Sequence, residues 1–163
     1  MNLAELRAEV VRNTWRDDLE EDALDLHINE ACRHAFTLRE WWWREAIKTS
    51  VSSTDDRLDL PSNFSSPVSV SVITDGDGNQ DGLVLTTIHK LRRAYSGSST
   101  GEPCHYAISG NELFVGPRPD KSYAYELIYK IKNTTLSAPT DTNEAATHLG
   151  LAVAARAAAT IAA

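Results

Sequence analysis

Asp75, Asp77, Asn79 and Asp81 alternate along the segment DGDGNQDG in the manner of the first ligands of a calcium loop. An EF-hand loop also needs glycine at its sixth position and a bidentate glutamate at its twelfth. Here those positions hold Gln80 and Thr86, and strand-like rather than helical sequence flanks the loop. The expectation is a polar hairpin tip. His27, His34, His89, His105 and His148 are scattered, whereas zinc needs three or four converging ligands, and no H-E-x-x-H spacing occurs. His27 and His34 lie two turns apart on one predicted helix with Cys32 nearby. A Cys–His nucleophile pair stays open at this stage, because such partners meet only in the fold. Cys32 itself falls on the expected core side, where cysteine behaves as a small inert hydrophobe. There is no G-x-S-x-G elbow, no phosphate-binding G-x-x-x-x-G-K-[ST] loop and no G-x-G-x-x-G, and nothing singles out a carboxylate pair among the acidic residues. No catalytic residue, no metal and no cofactor is expected.

Aromatic residues are the other candidates. Trp41, Trp42 and Trp43 are consecutive, and successive residues project about 100° apart on a helix or to opposite sides of a strand. Three adjacent indoles therefore cannot all enter one core. Trp42 continues a helical apolar stripe, which leaves Trp41 and Trp43 to pin a helix–sheet junction or to meet a partner. Tyr123, Tyr125 and Tyr129 share one face of a predicted strand; one side of that strand is expected to cover the sheet core, while an exposed tyrosine row could bind a sugar or a protein. Lys90, Arg92 and Arg93 form a basic cluster too small for sequence-independent DNA binding and read as a solvated face.

The elements that carry these residues follow from periodicity. Asn2 and Glu5 have capping-box spacing ahead of Leu3, Leu6, Val10 and Val11, a first helix reaching Asn13. Asp17 to Asp22 supply acid for the start of a second helix, whose stripe is Leu24, Ile28, Ala31, Ala35, Leu38 and Trp42. From Arg44 the period becomes two: 46–51, 58–60, 67–73 and 83–85 read as strands, with 75–82 a glycine-rich connection. A short helix spans about 87–95. His105–Ser109 and Glu112–Val115 flank Gly110–Asn111 as a hairpin, and 122–132 alternates without a fault. The last helix has the stripe Ala146, Leu149, Val153, Ala157 and Ile161.

With 163 residues the chain fits one domain, and its charge of 16 − 23 = −7 argues against a generic duplex-DNA binder. Two cysteines cannot form a disulfide scaffold, and the charged amphipathic start encodes no secretion signal. Leu149–Ala163 is apolar but falls short of the roughly 18–20 residues of a membrane span and carries Arg156, so no membrane partner is expected. The element order predicts an α+β fold: a helical bundle built from both chain ends, with an inserted antiparallel β lobe, either a sheet or a small sandwich, and no βαβ alternation. The predicted division is a single domain over 1–163, with a helical body of 1–43 and 141–163 and a β-rich insertion over 44–140.

The stretches HINEACRHAFTLREWWW, LDLPSNFSSPVSVSV, IHKLRRAY, GEPCHYAISGNELFVGPRPDKSYAYELIYKIK and LSAPTDTN, in this order, resemble the head-to-tail adaptor (connector) proteins of tailed bacteriophages. The resemblance covers nearly the whole chain and lies in packing and turn signatures. It implies a non-enzymatic virion protein of the neck, made in the host cytoplasm. It further implies a dodecameric ring of copies of this chain beneath the portal protein, a tail or nozzle protein on the other side, and DNA passing through the lumen without sequence-specific contact. An acidic channel suits such passage, since it does not grip a polyanion. A C-terminal segment commonly reaches toward the portal. The partner-interface residues implied are Trp41, Trp43, Asp75, Asp77, Asn79, Asp81, Leu151, Arg156 and Ile161. The sequence departs from the family where Ile161, Ala162 and Ala163 close an apolar helix with no polar tail, so docking through a longer extension rests on chain beyond Ala163.

Two readings from other classes stand beside it. A small carbohydrate- or protein-binding β module would use exposed Trp41, Trp43 and the tyrosine face, with Tyr123 essential. A hydrolase would hold a carboxylate or Cys–His site in a cleft with perturbed titrating groups.

Overall fold

The computed structural model describes residues 1–16, 18–52, 55–74, 79–96 and 99–162. They form four helices and two four-stranded sheets, an α+β chain in two compact units. One unit comprises Met1–Arg44 and Lys132–Ala163; the other is Glu45–Ile131.

In the first unit, α1 (Leu3–Thr14), α2 (Glu21–Thr37) and α4 (Glu144–Ala162) pack pairwise. The capping box forms as expected: Asn2 Oδ1 accepts from the Glu5 amide at 2.9 Å, and the Asn2 amide donates to Glu5 Oε2 at 3.0 Å. Leu3, Leu6 and Val10 of α1 are buried, as are Leu24, Ile28, Ala31 and Ala35 of α2. Side-chain to backbone bonds hold the chain that leads into α4. Asn29 donates to Leu136 O (3.0 Å) and accepts from the Leu136 amide (2.8 Å), so a segment without regular structure has its polar backbone satisfied by α2. Asn143 caps α4 by accepting from the Ala146 amide at 2.8 Å.

Two features of this unit depart from the periodicity. The helix α2 stops at Thr37, and Leu38 and Trp42, placed in its buried stripe by spacing, are 63% and 77% exposed. The stripe ends because the helix does: past Thr37 the α-helical spacing no longer sets which way a side chain points, and Trp42 opens a 3₁₀ turn over Trp42–Arg44. In α4 the stripe breaks at Leu149, whose φ of −129° and ψ of 23° kink the helix. Gly150 follows, where a Cβ would meet Met1 Sδ at 2.5 Å, so the bend accompanies a close approach of the N-terminal residue. The helix also starts earlier than the apolar run. At 19 residues and mean hydropathy 1.3 it is long and apolar enough to cross a membrane, correcting the shorter segment read from sequence. Seven of its residues (Ala145, Ala146, Gly150, Val153, Ala154, Ala157 and Ala158) are buried and it packs on α1 and α2; 39% of its apolar stretch is buried, and length and composition alone do not make it a span.

The second unit begins with β1 (Glu45–Ser52), β2 (Arg57–Asp59), β3 (Phe64–Thr74), β4 (Asn79–Gly82) and β5 (Val84–Leu85). It continues with α3 (Ile88–Ala94), β6 (His105–Ser109), β7 (Glu112–Gly116) and β8 (Tyr123–Ile131). One sheet has the order β1-β8-β3-β4 and is antiparallel throughout. The other has the order β2-β7-β6-β5, and its β5–β6 pair is parallel. That pair corrects the expectation of a purely antiparallel lobe without βαβ alternation: α3 carries the chain from β5 back to the start of β6, as a parallel pair requires. Gly110, at φ +63°, turns the β6–β7 hairpin.

Strand β8 keeps its strict alternation, with Tyr123, Tyr125, Leu127, Tyr129 and Ile131 all buried. The tyrosine row covers the sheet core, the first of the two expectations for it, and so is not the exposed face that a sugar-binding module would need there. In β3, Val70 and Val72 are buried but Val68 is exposed, because the register shifts between Pro67 and Ser69. Proline has no amide hydrogen for the ladder, and the bulge turns the next side chain outward. The segment 75–82 is only partly a connection, since 79–82 is strand paired with 71–74.

Candidate interaction surfaces

The carboxyl end of α2 builds an aromatic cluster from local sequence. Its last carbonyls have no helical partner. Trp41 Nε1 donates to Ala35 O at 2.8 Å, and Arg44 Nη1 donates to Phe36 O at 3.0 Å. These bonds fix the turn that carries the three tryptophans. Trp43 points inward, stacked on Trp41 (5.7 Å between centroids, 14° between planes) and edge-on to Phe36 (5.3 Å, 64°). It also stacks on His148 of α4 at 5.4 Å and 12°. Arg39 covers Trp41, its guanidinium carbon 3.9 Å from the ring centroid. Trp42 points out and touches the cluster through the edge of His148 (5.3 Å, 66°). Trp41 is half-buried and Trp43 is buried, so the exposed indole of the three is Trp42.

Trp15 is more exposed still, at 92%. It ends α1 in the left-handed conformation, φ +56° and ψ 25°, its amide donating to Val11 O at 2.9 Å. Glycine or asparagine is the residue such a position favours, because a Cβ crowds the following carbonyl. Leu26, Leu38 and Leu151 are large exposed hydrophobics of the same unit. Of the remaining α4 candidates, Arg156 is exposed and Ile161 half-buried. In the other unit, Asp81 lies on β4 opposite Val72 and is exposed, Asn79 starts that strand, and Asp75 and Asp77 lie outside the described residues.

The unit Glu45–Ile131 carries two polar clusters that spacing did not single out. Arg57 and Arg92 hold their guanidinium carbons 5.5 and 5.9 Å from the centroid of Phe114, over a cavity of about 210 Å³ lined also by Leu91 and Val115. Lys90 and Arg93 are exposed, as the solvated-face reading expects. The second cluster joins Tyr95, Cys104 and His105. The Tyr95 hydroxyl lies 2.8 Å from His105 Nδ1 and 3.2 Å from Cys104 Sγ, and that sulfur lies 3.1 Å from the same nitrogen. The bond to Cys104, followed by desolvation, pushes the Tyr95 phenol up to about 12. The sequence signal was the adjacency of Cys104 and His105; the third partner came only with the fold.

Cys32, the cysteine considered with His27 and His34, is buried, and burial pushes its thiol up, against a smaller opposing effect of a hydrogen bond with Asn143. Among the described residues, no three His, Cys, Asp or Glu side chains come together as metal ligands would. The Nδ1 atoms of His27 and His34 are each buried without a hydrogen-bond partner among the described residues.

Comparison with known families gives one match over almost the full length: the family model described as SU10 adaptor protein matches residues 1–162. A search of curated proteins finds no match.

Proposed function

The chain belongs to the SU10 adaptor family, a phage head-to-tail adaptor family, and from that premise we propose that copies of it form a ring joining the portal protein to the tail. The ring is a dodecamer in the neck of the virion, made in the host cytoplasm, and DNA passes through its lumen. In this reading 1–43 and 141–163 are the helical bundle that forms the body of the ring, and 44–140 is its inserted β lobe. The protein works by assembly rather than catalysis.

The observation that carries the reading beyond family membership is the exposure of Trp15 and Trp42, with Leu38 and Leu151, on the helical unit. Tryptophan is enriched where protein surfaces meet, which makes these exposed side chains candidates for such contacts. Trp15 is the sharper case, because its left-handed backbone is one that glycine would occupy without strain. Head-to-tail contacts between wedge-shaped copies close into a ring and cover one surface of each copy with a different surface of the next. The net charge of −7 favours a lumen that lets a polyanion slide.

The test is the mass of the complex formed when the protein is mixed with the portal ring encoded nearest to it. Light scattering behind a sizing column reads it, with each component alone as control. A gain of about one copy per portal subunit supports the proposal, even if the free protein is monomeric. If the longest natural form of the chain gives no gain, the portal-joining role is wrong.

A further inference from the structure

Cys104 is held in place by the strands around it while its thiol stays accessible. Its amide donates to Gly116 O and its carbonyl accepts from the Val84 amide, both at 3.0 Å. The side chain is exposed and lines an open depression of about 380 Å³, with Asp81 and Glu102 among the other walls. Beside its sulfur stand His105, which opens β6, and Tyr95, the C-cap of α3.

The Tyr95–Cys104–His105 triangle has a chemical consequence. A neutral thiol, phenol and imidazole (its hydrogen on Nε2) bring two hydrogens to three close contacts. Once the sulfur's proton moves to Nδ1, the N–H of His105 and the O–H of Tyr95 both donate to one sulfur acceptor, and each bond is strengthened by charge. The arrangement therefore assists the sulfur at the moment it acts as a nucleophile.

We propose that Cys104 is a thiol–disulfide exchange site for small cationic disulfides, with His105 as its base and Tyr95 as a donor to its sulfur. The Sγ–H proton passes to His105 Nδ1 as the sulfur attacks one sulfur of the disulfide. A new S–S bond forms on Cys104 and the old one breaks. The departing thiolate recovers a proton from His105, leaving a mixed disulfide and one free thiol with no net oxidation. The carboxylates of Asp81 and Glu102 favour a disulfide that carries ammonium groups over an anionic one. Nothing in this step depends on the ring or the portal.

Intact-mass kinetics on the full chain tests the proposal, with cystamine as the cationic probe and glutathione disulfide as the anionic one. The expected result is one adduct on Cys104 and none on buried Cys32. At low salt, cystamine reacts about tenfold faster than glutathione disulfide, and the gap narrows as salt rises. Cys104→Ser takes no adduct. His105→Ala slows the reaction about tenfold or more, and free imidazole restores part of the rate, which a merely structural role would not allow. Tyr95→Phe, which keeps the ring, slows it a few-fold and serves as the deciding variant if His105→Ala does not fold. Adduct on Cys32, equal rates for the two disulfides at low salt, or an unchanged rate in folded His105→Ala or in Tyr95→Phe would each overturn it.

Discussion

Trp43 lies flat on His148, ring centroids 5.4 Å apart and planes 12° from parallel, and this stack joins the turn after α2 to the first turns of α4. Its neighbour Trp42 meets the same imidazole only by an edge and faces outward. Consecutive indoles thus have opposite duties. Trp43→Ala is expected to cost about 3–5 kcal/mol of stability, the usual loss for a buried aromatic. Trp42→Ala is expected to stay within about 1 kcal/mol of the parent while weakening association with copies or with the portal. Urea unfolding and light scattering on the two variants separate the effects; equal destabilisation by both would remove the distinction.

Trp15 makes a prediction of the opposite sign. Its left-handed backbone is strained by about 1 kcal/mol for a residue with a side chain. Trp15→Gly should therefore raise the melting temperature of the free protein and lower its affinity in the assembly. A drop in melting temperature would mean that the exposed indole is a stabilising element of the free chain after all.

Arg7 ties α1 to α2. Its guanidinium reaches both carboxylate oxygens of Asp25 at 2.6 Å and Glu21 Oε2 at 2.5 Å, and the bond to Asp25 is the main reason the guanidinium is held above its ordinary value. Planar bidentate pairs of this kind hold orientation better than single contacts. Discounted for solvent, the loss expected for Arg7→Met is about 0.5–1 kcal/mol. A double-mutant cycle with Asp25→Asn should recover a coupling of similar size, and purely additive effects would refute the pairing.

Asp141 gives a pH signature. Its Oδ2 accepts from the Ala138 amide at 2.8 Å, from the Ser137 amide at 2.9 Å and from Ser137 Oγ at 3.1 Å. The backbone bond from Ala138, then those from Ser137, hold the carboxyl below its ordinary 3.8. A carboxyl lower in the folded than in the unfolded chain adds stability that is complete above the unfolded value and lost as pH falls through the folded one. Asp141→Asn is expected to melt below the parent at neutral pH, with the difference shrinking as the solution is acidified below 3.8. A gap that persists unchanged at the acid end would assign the effect to something other than ionisation.

Local chemistry set much of this protein in advance. The Asn2–Glu5 capping box, a short helix within 87–95, the Gly110 turn and the alternation of β8 all rest on residues a few positions apart, and all appear as read. So does the family, carried by turn and packing signatures along the whole chain. What required the tertiary structure is where the local pieces end and which segments cover them. Periodicity cannot see that α2 ends at Thr37, that Trp41 Nε1 and Arg44 satisfy carbonyls of its last turn, or that in the 3₁₀ turn beyond it Trp43 is buried and Trp42 exposed. Alternation separates the two faces of β8 but does not say that the tyrosine face is buried; its place between β1 and β3 belongs to the sheet. The parallel β5–β6 pair and the meeting of Tyr95 with Cys104 and His105 follow from α3 returning the chain along the sheet. Short-range hydrogen bonds and side-chain alternation are written in the chain, whereas burial and convergence arise only when separate segments exclude water together.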